Sequence, residues 1–280
     1  MTLQPYEHYS QLGTAAANAR WSARMKFFLI GFMLVGIAVG LIASKNLSYP
    51  IVGAVVGGFV GYAIFRLVLY TSASSTADDL YRTDWCAERG MTYREEFAFP
   101  PDAPYANSGD KQKATDAFEG EWNGLRTLFY NFTYTDEGDS DDPDTNYEFK
   151  IMRLQGSDLP INRLTIHRRS ALNRFAWADK LQGAMSKERP VSLESIAFNE
   201  QFDLTIDDTA DEIWIRRIFD PATIQAAVDG SAQIPDLKYA LGSWWFVEDK
   251  HFEIRDLEQW PKKQQTAASA VQLLSRIQSL

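Results

Sequence analysis

Apolar residues are concentrated near the start of the chain instead of being spread along it. Residues 27–44 (FFLIGFMLVGIAVGLIAS) carry no charge, and residues 50–71 (PIVGAVVGGFVGYAIFRLVLYT) carry one, on Arg66. A helix needs about 20 apolar residues to cross a bilayer, and backbone groups inside lipid must be hydrogen-bonded within the protein. The pattern predicts two membrane-spanning helices, joined by the short loop 45–49 into a hairpin.

Two further features of these segments bear on that interpretation. A cleaved signal peptide is the alternative for the first segment, but its apolar run exceeds the usual ~7–15 residues and a second span follows at once.

Arg66 lies near the predicted cytoplasmic end of the second span, where its long side chain can reach the lipid headgroups. We therefore expect two spans without a transport path between them.

Positive charges near the span ends predict the orientation of the hairpin. The connecting loop contains only Lys45, whereas the outer flanks contain Arg20, Arg24, Lys26, Arg66, Arg82 and Arg89. Cytoplasmic flanks of membrane helices are enriched in Lys and Arg. Both chain ends are therefore expected on the cytoplasmic side of the membrane.

Glycines recur at every fourth position along one face of each predicted span. They are Gly36 and Gly40 in the first span, and Gly53, Gly57 and Gly61 in the second. Small residues allow helix backbones to approach closely in lipid, where no hydrophobic effect drives association. Two uses remain open: packing of the hairpin against itself, and self-association between chains.

The residue pattern divides the chain into four parts. These are an N-terminal cytoplasmic segment (1–25), a two-helix transmembrane hairpin (26–72), a connecting helix (73–90) and a soluble α+β domain (91–280). Thr76 and Asp79 resemble a capping box at the start of the connecting helix, and Gly90 ends it. The Pro-rich and polar stretch 100–113 is interpreted as a linker or loop.

Alternation of period two predicts the strands of the soluble domain. Residues 127–134 and 147–154 flank the acidic loop 136–144, so they are expected to form an antiparallel hairpin. Further strands are predicted at 163–168, 198–206 and 213–219, the last with a helix as the alternative, and 238–248 is expected to form a final hairpin with 251–254.

Helices follow or separate these strands. Ser170 begins a helix through residue 181, and Asp220 with Pro221 begins a second that ends at Gly230. A third starts near residue 261 and carries an apolar stripe of Ala267, Ala270, Val271, Leu274 and Ile277. The fold class is α+β: the transmembrane hairpin followed by an antiparallel sheet with packed helices. A pleckstrin-homology-like roll with a closing helix is one arrangement that fits.

Charge and reactive side chains narrow the range of functions. The net charge of -9 argues against nucleic-acid binding, which requires surplus Lys and Arg. The single cysteine, Cys86, cannot form a disulfide within the chain. The three histidines are too far apart in sequence for metal-ligand spacing. We therefore predict no catalytic, metal-binding or cofactor-binding residue and no cofactor.

The acidic loop is the remaining metal candidate, and its spacing does not fit a calcium site. An EF-hand loop needs Gly at the sixth position and Glu at the twelfth. Counted from Asp139, these positions hold Asp144 and Lys150. A solvated hairpin tip is the preferred interpretation.

Two groups of residues are candidates for lipid or partner contact. The densest basic run consists of Arg163, His167, Arg168, Arg169 and Arg174, which could contact anionic headgroups. Neutralisation of this run by neighbouring acids is the alternative. The pair Trp244 and Trp245 is expected to straddle the sheet, with one ring buried and the other at an edge facing a partner.

Several segments together resemble a family of uncharacterised bacterial membrane proteins. They are the two spans, the aromatic strands TLFYNFTY and YEFKIMRL, and the segments AFNEQFDLTIDD and FDPATIQAAVDG. The family pattern F-x-x-x-F-x-V/L followed by a Pro-started helix corresponds to Phe198, Phe202, Leu204, Asp220, Pro221 and Ile224. The resemblance implies this architecture and a bacterial membrane setting. It implies no activity, because the family has none assigned.

Three functions are compatible with the sequence. The leading hypothesis is a non-enzymatic interaction or sensing domain held at the cytoplasmic face of a bacterial membrane, with the bilayer and a protein as partners. The second is a membrane-bound enzyme whose site assembles around His167 or His251. The third is a subunit of a larger membrane complex that uses the glycine face of Gly53, Gly57 and Gly61.

Overall fold

The chain divides into two compact units, Met1–Glu88 and Arg89–Leu280. The computed structural model describes residues 3–43, 48–101, 103, 105, 109–137, 144–156, 158–169, 188–240, 242–248 and 253–275. The first unit is helical, and the second contains a large antiparallel sheet with short helices. The predicted α+β class with N-terminal helices is confirmed.

Two long helices make up the first unit. Helix α1 spans Tyr6–Ala43 and helix α2 spans Ser48–Arg89, with 38 and 42 residues. At ~1.5 Å per residue, each helix is about twice as long as the ~30 Å hydrocarbon core of a bilayer is thick. Residues 6–25, predicted only as an N-terminal segment, are therefore the first part of α1.

Helix α2 continues without a break where the sequence suggested a new cap. The Thr76 hydroxyl donates to the carbonyl of Ser72 at 2.8 Å, as Thr does inside a helix, so the predicted capping box is wrong. The helix ends before Gly90, whose φ of +63° favours glycine, as the sequence predicted.

Aromatic side chains join the two helices beyond their apolar segments. Tyr81 is fully buried, and its ring meets those of Tyr6 and Tyr9 edge to face. The Tyr6 hydroxyl donates to Asp78, and that of Tyr9 donates to Asp84 at 2.7 Å. These hydrogen bonds fix the register of the pair at the end opposite its connecting loop.

The second unit is built on one nine-stranded antiparallel sheet. Its strands are β1 Thr92–Phe97, β2 Asp110–Trp122, β3 Leu125–Asp136, β4 Thr145–Gln155, β5 Arg163–Arg168, β6 Glu188–Val191, β7 Phe202–Asp207, β8 Leu237–Ala240 and β9 Ser243–Glu248. Their order in the sheet is β1-β2-β3-β4-β9-β8-β5-β7-β6. This single sheet with two edges replaces the suggested roll, because a list of strands and a closing helix does not determine sheet order.

Five short helical segments complete the described part of this unit. They are α3 Ile196–Gln201, α4 Glu212–Ile218, α5 Pro221–Val228, a 3-10 helix at Ile254–Glu258 and α6 Trp260–Leu274. The helix predicted at 170–181 and Ile277 lie outside the described residues. Asp220 caps α5 by accepting from the Thr223 amide at 2.7 Å, as predicted.

The hairpin around the acidic loop forms as predicted. Strands β3 and β4 pair from Arg126 with Gln155 to Asp136 with Thr145. Strand β2, which the sequence analysis missed, pairs with β3 on its other side and takes in the end of the stretch interpreted as a linker.

Three further predictions of secondary structure are wrong. Residues 213–218 of the predicted strand 213–219 lie in α4, because Asp211 accepts from the Ile213 amide at 2.9 Å and Ile215 and Ile218 are buried one turn apart. The first part of the predicted strand 198–206 is helix α3, which Ser195 caps. Ile254 begins a 3-10 helix, and the final hairpin turns at Gly242 instead.

Apolar layers cover both faces of the sheet. On one face, Phe129 packs against Trp260 of α6, with ring centres 4.3 Å apart. On the other, Phe132 meets Phe99, and Phe149 stacks on Tyr105 at 4.4 Å. The second layer ends near Trp245, and the sheet face beyond it, towards β5 and β7, carries polar side chains.

Candidate functional site

The surface of the first unit is apolar along both helices. Only 6% of the apolar window of Arg24–Ile42 and 11% of that of Pro50–Arg89 is buried. Phe27, Ile42 and Phe59 are 80%, 87% and 73% exposed. A core helix of a soluble protein would bury such side chains. Both helices are long and apolar enough to cross a membrane.

The contact between the two helices is made through glycine. A Cβ added to Gly36 would collide with the carbonyl oxygen of Gly53, and one added to Gly53 would collide with that of Gly36. A Cβ on Gly57 would meet the backbone of Phe32, and one on Gly61 would lie 2.7 Å from the Phe32 Cβ. Gly40 is buried, with its Cα 3.6 Å from a Cβ built on Gly53. All five glycines thus face the partner helix.

The residues of the basic run in the second unit differ in their exposure and in their partners. His167 Nδ1 lies 3.1 Å from Asp236 Oδ2, and Arg169 pairs with Asp203 at 2.5 Å. Arg163 and Arg168 are exposed, and Arg174 lies outside the described residues. His167 and Arg169 therefore have carboxylates as direct neighbours.

The His167–Asp236 pair has a defined electrostatic effect. The hydrogen bond to Asp236 raises the pKa of His167 above its usual 6.5, the charges of Asp236 and Asp203 add to this, and burial opposes it. The protonated imidazole is therefore favoured in the folded protein.

The expectation of an edge ring in the tryptophan pair is wrong. Trp244 and Trp245 point to opposite faces, but both are buried, with 0% and 1% exposure. The reason is that both faces carry apolar layers here: Trp244 packs against Tyr239, and Trp245 belongs to the cluster around Phe132. Neither ring is accessible to a partner in the folded unit.

A polar row on the sheet was missed by the sequence analysis. Glu188 Oε2 accepts from the hydroxyls of Thr165 and Thr205 at 3.3 and 2.8 Å. Lys238 is the cross-strand neighbour of Thr165. Burial lowers the pKa of Lys238, Glu188 opposes this shift, and Arg163 adds to it. The alternation of Arg163, Thr165 and His167 along β5 was the available signal of a polar face.

No candidate metal site is found in the described part of the chain. No group of three or more His, Cys, Asp or Glu side chains could hold an ion there. At the base of the acidic loop, Glu137 pairs with Lys111 at 2.7 Å. Asp139 and His251 lie outside the described residues.

Comparisons with known proteins add one distant likeness. No family model and no curated protein matches the chain, so the resemblance to a family of uncharacterised bacterial membrane proteins is not confirmed. Among solved structures, the chain is similar to the mycobacterial trehalose monomycolate transport factor A, TtfA, with a TM-score of 0.43 and 12% identity over 70% of this chain and 93% of that one. A structural similarity at this TM-score does not indicate a shared function.

Substitution at the helix contact gives the first prediction. Gly36→Leu should lower the free energy of unfolding of the detergent-solubilised chain by about 1–3 kcal/mol, because the added side chain forces the backbones apart. Gly31→Leu is the matched control, since a Cβ there meets nothing within 4 Å. Thermal unfolding followed by circular dichroism measures both. A smaller oligomer with unchanged stability would instead indicate that Gly36 contacts a second chain.

The ion pair of His167 with Asp236 gives the second prediction. Because the folded-state pKa of His167 is raised, its stabilisation is fully present below pH 6.5 and is lost as pH rises through the raised value. The difference in unfolding free energy between the native chain and His167→Gln should therefore be larger at about pH 5.5 than at about pH 9. Urea unfolding followed by tryptophan fluorescence measures it. An equal difference at both pH values would contradict the ion pair.

Proposed function

We propose that the chain is an integral membrane protein in which the α1–α2 hairpin anchors an interaction or sensing domain. The single observation that carries this proposal is the outward-facing apolar surface of two helices that already contact each other through glycine. In water this surface would be exposed at considerable cost, at ~25 cal/mol per Å². In lipid it needs no further protein partner.

The charge distribution supports an orientation for this anchor. The loop after α1 carries only Lys45, whereas Arg20 and Arg24 precede the apolar stretch 27–44 and Arg82 follows the apolar stretch 50–71. With positive charge retained in the cytoplasm, both chain ends and the second unit lie on that side. The resemblance of the sequence to bacterial membrane proteins supports the cytoplasmic membrane of a bacterium as the setting.

Charged side chains held by hydrogen bonds support an interaction role for the second unit. Glu188 is held by two threonine hydroxyls, and Lys263 contacts both carboxylate oxygens of Glu248 at 2.6 and 2.7 Å. Such paired groups fix a rigid surface that a partner can recognise. The enzyme alternative depends on the His167–Asp236 pair and stays a prediction without a substrate class.

The glycine contact bears on the third alternative, a subunit of a larger complex. Gly53, Gly57 and Gly61 face α1 of the same chain, so this face is already occupied within the hairpin. A larger assembly would have to use the lipid-facing side chains or the second unit.

Cysteine labelling tests the anchor and its orientation together. In a bacterial host producing the full chain with Cys86→Ala, a membrane-impermeant maleimide should label Ser48→Cys in intact cells. It should label Asp144→Cys only after the membrane is opened, because the two positions lie on opposite sides. Labelling of Asp144→Cys in intact cells would contradict the orientation, and recovery of the chain in the soluble fraction would contradict the anchor.

A further inference from the structure

A small pocket lies on the sheet of the second unit, beside the covered part of the face that contains Trp245. Its volume is about 230 Å³, and it is lined by Glu119, Arg126, Leu128, Arg153 and Gln155. Leu128 pairs with Glu119 of β2 on one side and with Arg153 of β4 on the other. Arg126 pairs with Gln155. The pocket therefore has a rigid floor of three neighbouring strands.

Arg153 is held in place by two buried residues. Its Nε donates to the Ser243 hydroxyl at 2.8 Å, and its guanidinium carbon lies 5.3 Å from the centre of the Trp245 ring. Ser243 and Trp245 are each 1% exposed. A guanidinium that stacks on an indole and is tied by a hydrogen bond is pre-organised for recognising a planar or tetrahedral anion.

The carboxylate in the pocket wall is already compensated. Glu119 Oε1 accepts from Arg126 at 2.7 Å, and its Oε2 lies 3.4 Å from Arg94 at the neighbouring strand. Arg153 is the second arginine of the lining, and Glu121 of β2 lies opposite Arg126, outside the lining. The five lining residues thus include two arginines and one carboxylate, in a chain of net charge -9.

We propose that this pocket binds a phosphate group, held by the guanidinium groups of Arg126 and Arg153 and by the side-chain amide of Gln155. Two guanidinium forks at diagonal positions of adjacent strands can donate to different oxygens of one tetrahedral anion. The volume is below the ~300–1,000 Å³ of pockets for drug-sized ligands, which fits one phosphate group. That group belongs either to a lipid headgroup or to a soluble phosphate compound.

Calorimetric titration of the full chain in phosphate-free detergent tests the site with two probes. One is inorganic phosphate, and the other is dihexanoyl phosphatidylglycerol below its micelle concentration. Arg126→Gln and Gln155→Glu should each raise Kd about tenfold or more, since each removes a hydrogen bond to a charged group or adds repulsion. Arg94→Gln is the matched control: Arg94 shares Glu119 with Arg126 but does not line the pocket, so Kd should change less than about twofold.

The substituted positions are chosen to leave the fold intact. The Arg126 side chain is 69% exposed, and Gln155 is exposed, whereas Arg153 packs on Trp245 and is left unchanged. Tighter binding of the lipid would identify a headgroup as the ligand, and tighter binding of inorganic phosphate a soluble compound. Absence of binding by both probes, or equal losses in Arg94→Gln and Arg126→Gln, would overturn the proposal. The pocket lies in the second unit alone, so these outcomes do not depend on membrane anchoring.

Discussion

The first unit depends on the close approach of two helix backbones at Gly36 and Gly53. No residue with a Cβ fits at either position without moving the other helix. Because the contact uses glycine, the large apolar side chains of α1 and α2 are left pointing outward. The same sequence feature that joins the helices therefore leaves an apolar surface that lipid would cover, and the anchor proposal follows from it.

The second unit depends on a different constraint, because the apolar side chains on both faces of its sheet must be covered. Helix α6 covers one face through Trp260, and the segment containing Phe99 and Tyr105 covers part of the other. Beyond Trp245 the sheet face becomes polar and its charges are compensated locally. The arginine pocket and the Glu188 row both lie beside the apolar layer, on strands that it helps to hold in place.

The sequence predicted a structural feature correctly where the residues that decide it are neighbours along the chain. The β3–β4 hairpin and the Asp220 cap are local patterns, and both formed as predicted. The segment 213–219 was misassigned because its β-branched residues favour a strand, whereas the deciding Asp211 cap lies outside it. The alternation of Trp244 and Trp245 showed that they face opposite ways, but not that both faces are covered. Lys238 and Glu188 meet only through pairings between distant strands. Arg126 and Arg153 lie on the predicted hairpin, but Ser243 and Trp245, which hold Arg153, come from the distant strand β9.

Nitroxide accessibility along the two helices tests the central claim most directly. Single cysteines at Val35, Val39, Val55 and Phe59 in a Cys86→Ala background would be spin-labelled in the full chain reconstituted into bilayers. If lipid covers the two helices, oxygen, which partitions into lipid, should relax the labels strongly at all four positions, and a water-soluble nickel complex should relax them weakly. Strong relaxation by the nickel complex at these positions would show that the apolar surface faces water, and would exclude a membrane anchor.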